Sequence, residues 1–562
     1  MELLLNAQQM KACDARTIGL GIPSAVLMER AAMAVVDEME QASLDLSKVL
    51  VVCGSGNNGG DGFAAARMLA YTPEGWKKQE HSCAYPSGMP DTKTERVRQV
   101  DVWFVGRETS VTKETALQRQ ICENCGLKIN SNFPAAEYTT IVDAMFGIGL
   151  SRAVEGRYAE AVAWINAQAA QVVAVDLPSG LSADSGQVLG CAVRADLTVT
   201  FAARKPGQVL YPGAEYCGRL VCRDIGIPVG WKEAAADTGE MSAANAQGSS
   251  PHIFTYTRQD LSRLPKRSPA SHKGTYGKVL LIAGSEGMSG AAVLSARGAF
   301  RSGCGMVRVF TAACNRIVIQ TALPEAMVTT WEPGGRNLER LAEALAWSDV
   351  VGIGPGLGTS ADAWELLEYV LRHCAKPLVM DADALNLLAA HFPADIPAGE
   401  AAAGEQTGSA VLTGDGQEKR SRAVPDSLRG KVVLTPHIGE MARLAGREKQ
   451  AISADLIGTA QRFAKTCEVI CVLKDARTVV SDGKQVYLNT SGNHGMAVAG
   501  SGDVLSGVLC GLLAQGMPAF DAAALGVYLH GLAGDAARDE LGAYGMMAGD
   551  IADAVGKVMR DR

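Results

Sequence analysis

The chain has 562 residues, 47% of them hydrophobic and 20% charged, with a formal net charge of −7. That length calls for at least two cores, and the apolar balance is that of an ordinary globular protein. The mild acidity excludes a nucleic-acid coat, which needs a basic face, and no run reaches the roughly 18 apolar residues that span a membrane.

The N-terminus, MELLLNAQQMKACDART, has neither a basic n-region nor a long apolar core. It does not read as a secretory signal, and a cytoplasmic location is expected. Helical patterns follow around residues 7–19 and 24–42. Short apolar runs come next, each ending in Gly, Asp or Pro: Val49–Cys53, Val102–Val105, Thr140–Asp143, Val172–Asp176 and Leu197–Phe201. Continuous β-branched runs between helical stretches predict a mostly parallel sheet covered on both faces. Ligands of such sheets sit at the carboxyl ends of the strands. Residues 83–99 are polar where a second strand would be expected. The 14 cysteines lie in apolar segments without disulfide spacing. Cys122 and Cys125 form a C-x-x-C with no partner pair, so reduced buried thiols are expected.

Residues 231–250 are small and polar, which predicts a first domain over 1–235, a linker over 236–252 and a second domain over 253–562. The second region repeats the alternation with runs Val279–Ala283, Met306–Thr311, Val350–Ile353, Leu378–Asp381, Val432–Thr435 and Val469–Leu473. Thr478–Ser481 and Gln485–Asn489 flank Asp482-Gly483 as a hairpin. Residues 397–425 read as an insertion. The fold class is α/β, with two αβα sandwiches.

Strand ends carry the chemistry. Val49–Cys53 runs into GSGNNGGDG, read as a glycine-rich loop before the helix FAAARMLA, which offers backbone amides to phosphate. Asn57, Asn58 and Asp61 have little structural reason to cluster there. Asp143 opens DAMFGIGLSRAVEG and Asp176 opens DLPSGLSADSG. An Asp at a strand end can simply cap a helix, but three oxygen-rich ends in one sheet point to a shared cleft. Oxygen donors without His or Cys suit a hard cation.

The strings GxGNNGGDG, VDAxFGxG and VDxPSGL resemble the N-terminal YjeF domain, the NAD(P)H-hydrate epimerase family, over about residues 1–225. This resemblance implies a Rossmann-like fold and a potassium ion on Asn58, Asp143 and Ser179. It places hydrated NADH or NADPH against Asn57, Asn58, Gly59, Gly60, Asp61, Gly147, Ile148, Gly149, Leu150, Ser151, Arg152, Ala153, Tyr158 and Asp176. Asp176 is the candidate acid/base that inverts the hydroxyl-bearing carbon of the nicotinamide ring.

In the second region, Gly284–Thr311 is a glycine-rich turn, a small-residue helix and a strand. GPGLG ends the next run, and His437 lies at a strand end near Glu440. In GNHGMAVAGSGDVLSGVLCGLL, Gly500–Gly502 are read as preceding Asp503 and a long helix, forming an anion hole for a phosphoryl group. Asp503 sits where a general base would stand. The strings GSxxMSGAA, GPGLG, MDADALN, TPHxGEM and GNxGMAxAGSGDVLSG are similar to the C-terminal YjeF domain, the ADP-dependent NAD(P)H-hydrate dehydratase, over about residues 255–562. That implies a ribokinase-like fold, with Ala292, Gly356, His437 and Asp503 against the hydrate. Lys474, Asp475, Ala476, Arg477, Thr478 and Gly502 would hold ADP with Mg²⁺. KDART stands where the family reads KGxxT, with Asp475 in place of a glycine.

The resemblances imply a bifunctional repair enzyme that epimerises R and S hydrates and dehydrates the S form at the expense of ADP. An alternative is a ribokinase-like small-molecule kinase fused to a regulatory ligand-binding domain. A third reading makes the first domain a mere scaffold. TPHxGEM and GPGLG speak against the second, and the Asn58/Asp143/Asp176/Ser179 set against the third. Self-association through the N-terminal helices is expected, giving a homo-oligomer.

Overall fold

A computed structural model describes residues 1–71, 98–227, 252–391 and 428–560. Most of the polar stretch 83–99, nearly all of the linker and the whole 397–425 insertion lie outside the described residues. The chain divides into two compact units, Leu3–Ser250 and Pro251–Arg562, the second including Met1–Glu2.

The N-terminal unit is built on a seven-stranded sheet. Its order is Ile129–Asn130, Gln99–Phe104, Lys48–Cys53, Thr140–Ala144, Gln171–Val175, Leu197–Phe201, Arg219–Arg223. Every neighbouring pair is parallel. Alternate residues of one strand face opposite layers. Val49, Val51 and Cys53 join the core under the helices Ser24–Gln41 and Asn57–Ala70, while Leu50 and Val52 pack toward Trp103 and the helix Arg157–Asn166. Burial on both faces is why these strands read as unbroken apolar runs. The strand order reverses direction between Lys48–Cys53 and Thr140–Ala144, the topological switch point where such sheets open a crevice.

In the C-terminal unit seven strands run parallel in the order Met327–Trp331, Met306–Ala312, Lys278–Ile282, Val350–Ile353, Leu378–Met380, Val432–Leu434, Ile470–Leu473. Val479–Ser481 and Gln485–Leu488 continue the sheet as the expected antiparallel hairpin. Its turn is held by the Asp482 carboxylate, which accepts from the amides of Lys484 and Gln485 at 2.8 and 2.9 Å. Gly483 takes the left-handed φ of 89° that the turn requires. His252–Thr255 pairs parallel to the hairpin's outer strand. Here the switch point lies between Lys278–Ile282 and Val350–Ile353.

Two local readings are corrected. NNGGDG is not a loop: the helix begins at Asn57, with Gly56 as its N-cap. Similarly, the helix read as starting after Asp503 begins at Ser501, so Gly502 and Asp503 occupy its first turn. In the first of these places glycine serves close packing. A Cβ on Gly59 would sit 2.0 Å from the Gly54 carbonyl oxygen.

Candidate functional sites

In the N-terminal unit the sheet's carboxyl edge opens into a cavity of about 700 Å³. Asn57, Asn58, Asp61, Gly147, Ile148, Gly149, Leu150, Ser151, Arg152 and Asp176 all line it. Gly59 and Gly60 are buried behind it, where a Cβ would strike Gly54 and Met28 respectively. Ala153 and Tyr158 are not among the lining residues. Tyr158 packs on Phe146, with ring centroids 4.5 Å apart.

Asp176 follows its strand with a left-handed φ of 64°, a strained conformation for a residue with a side chain. Tertiary bonds hold it. The Lys205 ammonium donates to Oδ1 at 2.6 Å, the Thr200 hydroxyl donates to the same oxygen at 3.0 Å, and the Gln208 amide donates to the Asp176 carbonyl at 2.6 Å. Lys205 is 1% exposed. A buried ammonium needs such a pairing, and the pair sets the Asp176 carboxylate at the cavity wall.

Asp143 and Ser179 form a second polar knot. The Ser179 amide and hydroxyl donate to the two Asp143 carboxylate oxygens at 2.7 Å each, and the Phe146 amide donates to the Ser179 hydroxyl at 2.8 Å. Burial pushes the Asp143 carboxyl up to about 6, against those hydrogen bonds. Among the described residues no cationic side chain pairs with it. The Asn58 amide nitrogen, also buried, has no hydrogen-bond partner. A buried carboxylate lacking a counter-charge, with the Ser179 hydroxyl against it, offers the oxygen donors that a hard cation takes, whereas the orphaned Asn58 nitrogen is a donor that calls for an acceptor. No group of three His, Cys, Asp or Glu suited to another metal occurs among the described residues. Cys122 instead donates its thiol to the Phe63 carbonyl.

In the C-terminal unit the polar centre lies at the start of the helix Ser501–Ala514. Lys474 donates to Asp381 Oδ1 at 2.6 Å, and the Ser506 hydroxyl donates to Oδ2 at 2.6 Å. Burial alone would raise the Asp381 carboxyl, but Lys474, with Ser506 and Thr435, holds it below the usual carboxylate range. A Cβ on Gly502 would lie 3.4 Å from the Lys474 ammonium and 3.7 Å from Asp381 Oδ2. Glycine therefore leaves the ion pair open at the helix's positive end. Burial and the Asp381 charge push the Asp503 carboxyl up to about 6.

His437 N-caps the helix Ile438–Ala445. Its Nδ1 accepts from the Gly439 amide at 2.9 Å, while the Glu440 carboxylate accepts from the His437 amide at 2.8 Å. Burial, Lys474 and Arg443 keep this imidazole below its usual pKa. The Lys474 amide donates to the Pro436 carbonyl at 2.7 Å, which stitches TPHIGEM to KDART. Asp475 and Ala476 are exposed, and Asp475 is absent from the left-handed residues, so the missing glycine leaves no strain there. Arg477 donates to the Thr490 carbonyl at 3.0 Å. Gly356 has φ 58° and its carbonyl accepts from the Ser285 amide at 2.6 Å; a Cβ there would meet Met288 and Ala291. Ala292 is buried in the helix that follows.

The sequence reading missed Asp14, Lys205, Asp381 and Ser506 as site residues. Lys205 and Asp381 follow strands, and the strand-end rule could have flagged both. Asp14 lies mid-helix and carries no local signal.

Two α/β units, each with charged groups gathered at the carboxyl edge of a parallel sheet, define a two-site enzyme of small molecules. The family profile described as YjeF-related protein N-terminus matches residues 24–76 and 93–207, and the one described as NAD(P)H-hydrate dehydratase matches 279–420 and 402–557. The bifunctional NAD(P)H-hydrate repair enzyme of Moorella thermoacetica is 37% identical over 96% of this chain and 93% of its own length. That of Escherichia coli K12 is 32% identical over 96% and 90%. The crystal structure of an ADP/ATP-dependent NAD(P)H-hydrate dehydratase from Bacillus subtilis, co-crystallised with ATP/Mg²⁺, is 28% identical; it aligns over 55% of this chain and 98% of its own, with a TM-score of 0.43. The chain belongs to the bifunctional NAD(P)H-hydrate repair enzymes, an epimerase unit joined to a dehydratase unit.

Proposed function

We propose that the N-terminal unit, residues 1–235, interconverts the R and S hydrates of NADH and NADPH, and that the C-terminal unit, 253–562, returns the S form to NAD(P)H at the expense of ADP. The observation that carries this reading is that each unit has its own charged pair at a strand end: Asp176–Lys205 in one and Asp381–Lys474 in the other. In the first unit Asp176 exchanges protons at the ring hydroxyl, and the lining residues Asn57–Asp61 and Gly147–Arg152 bind the cofactor. Asn58, Asp143 and Ser179 would hold potassium, which would neutralise the buried carboxylate and steady the floor of the site.

In the second unit Asp503 takes the proton of the ring hydroxyl as that oxygen accepts a phosphoryl group. The first-turn amides of Ser501–Ala514 and Lys474 stabilise the charge that develops on the phosphoryl oxygens. The phosphoryl group comes from ADP, which leaves as AMP; the ring C–O bond then breaks with its electron pair to release phosphate, the ring nitrogen's lone pair forms C=N, and loss of a proton from the neighbouring ring carbon re-forms the ring double bond. Ala292, Gly356 and His437 bound the hydrate, while Lys474–Thr478 and Gly502 hold the nucleotide. Asp503 makes no hydrogen bond among the described residues, so its oxygens are free for the substrate hydroxyl or for a water on Mg²⁺. The ion, arriving on the nucleotide phosphates, would supply further charge compensation.

The protein is read as a cytoplasmic homo-oligomer; no helix among the described residues is long and apolar enough to cross a membrane. Ile18, Val26 and Met33 on the first two helices are 43%, 40% and 52% exposed, an apolar surface for self-association that solution scattering would test.

The decisive assay follows NADH absorbance after heat-generated NADH hydrate is mixed with the full chain and ADP. Complete recovery of both epimers supports the reading. Recovery of the S fraction alone removes the epimerase assignment, and no recovery with either ADP or ATP removes both.

A further inference from the structure

Hydration of a dihydropyridine places the hydroxyl on the carbon beside the ring nitrogen, so inversion runs through a planar iminium. One hydroxyl must leave as water from one face, and another water must add to the other. Water that leaves one face and water that adds to the other each need a proton-handling group, and one carboxylate on one side of the ring serves only one of them. The epimerase cavity contains more than one carboxyl. Asp14, on the helix Ala7–Gly19 outside the sheet, lines it together with Asp61, Asp176 and Lys205. Unlike Asp176, Asp14 makes no hydrogen bond or ion pair among the described residues. The cavity also holds the unpartnered buried Asn58 amide, so its walls present polar atoms still to be satisfied by a ligand.

We propose that Asp14 is the general acid of the epimerase and Asp176, held in place by Lys205, its base. The assignment rests on the epimerase reading above. Asp14 gives its proton to the ring hydroxyl. The C–O bond breaks with its electron pair and leaves as water, while the ring nitrogen's lone pair forms the C=N bond. A water on the other face then adds through oxygen, the C=N pair returns to nitrogen, and the added water's proton passes to Asp176. Proton return from Asp176 to Asp14 through water closes the cycle, with no oxidant or co-reactant consumed. The reverse direction exchanges the two roles.

The electrostatics agree with this division. Burial and the neighbouring Asp176 charge push the Asp14 carboxyl up to about 6, with Lys205 opposing. Asp61 is raised well above the usual range by burial, Asp176 and Asp14. An acid that must release and regain a proton each turnover works best near the operating pH, and Asp14, pushed up to about 6, meets that requirement. The other charged groups on this cavity are Lys11, on the same helix, with Glu114 and Arg152.

The test uses the full chain without ADP, so that dehydration is silent, and follows the interconversion of separated R and S hydrates by chromatography. The parent's rate should fall as pH rises through about 6, because the acid form of Asp14 is being lost. Asp14→Asn should slow interconversion by roughly 10²-fold or more and abolish that limb. Asp14→Glu should keep part of the rate and the limb. ADP-dependent consumption of S hydrate should be unchanged in both variants. Wild-type interconversion by Asp14→Asn, or a slower variant that keeps the limb at the same pH, overturns the assignment. If the parent itself fails to interconvert the epimers, the epimerase reading falls, and this proposal with it.

Discussion

Asp503 and Asp381 stand at one helix start, and their surroundings drive them apart. Asp381 is kept ionised by Lys474 and Ser506, so its charge remains across the neutral range. Asp503 has burial and the Asp381 charge against it, and its carboxyl titrates at about 6. Two neighbouring carboxyls with separated titrations suit a division of labour: Asp381 anchors a lysine, and in the proposed mechanism Asp503 trades protons. A base must be ionised to act. Dehydration of S hydrate at saturating ADP should therefore rise with pH through about 6 and level off above it. Asp503→Asn should lower kcat by about 10²–10⁴-fold. Glu440 is also raised to about 6, by burial, so Glu440→Gln, which can still complete the cap on His437, should leave the limb in place. A limb that vanishes in Glu440→Gln and survives in the residual activity of Asp503→Asn would move the base to Glu440.

At the scale of elements, the glycines turn out to serve contact between elements more than loop formation. Gly507 lies in the helix Ser501–Ala514 where it crosses Ser289–Arg301; a Cβ there would sit 1.9 Å from the Ser295 carbonyl oxygen. Backbone cannot yield as a flexible side-chain tip can. Gly507→Ala should destabilise the C-terminal unit by about 1–3 kcal/mol, seen as a lower denaturation midpoint. Gly290, on the partner helix with nothing within 4 Å of its Cβ position, is the control. Gly290→Ala should be neutral or stabilise by about 0.5–1 kcal/mol. The same double use of glycine explains what the sequence made legible. Buried parallel strands announce themselves as apolar runs, and those runs agree with the observed strands to within a few residues. Ile129–Asn130, Arg219–Arg223, His252–Thr255 and Met327–Trp331 escaped notice, being short or carrying polar residues toward the sheet's ends. NNGGDG misled because periodicity cannot tell a glycine that turns the chain from one that lets a helix touch a strand. Asp143 and Asp176 were legible because each lies at the end of a strand, and Asn58 because it sits at the glycine-rich junction of strand and helix. Asp14 and the Asp176–Lys205 pair were not, because chain distance hides a partnership that only the fold creates.

For the whole molecule, the two charged pairs lie in separate units, each built on its own sheet. The hydrate is a small diffusible molecule, and the epimerase's product is the dehydratase's substrate. Joining the units then raises the local supply of S hydrate without being a chemical requirement. Complementation between variants tests this. With ADP and an equal mixture of epimers, Asp176→Asn should recover NADH from the S fraction and then slow to the rate at which the epimers interchange with no protein present. Asp503→Asn should recover almost none while still equilibrating the epimers. Mixed together, the two variants should carry recovery to completion, because an epimerase site on one chain feeds a dehydratase site on another. The approach to completion should slow as the mixture is diluted, whereas the parent, with both sites on each chain, should depend less on dilution. Recovery that stalls at the S fraction in the mixture would mean that the hydrate must be handed between sites of a single chain.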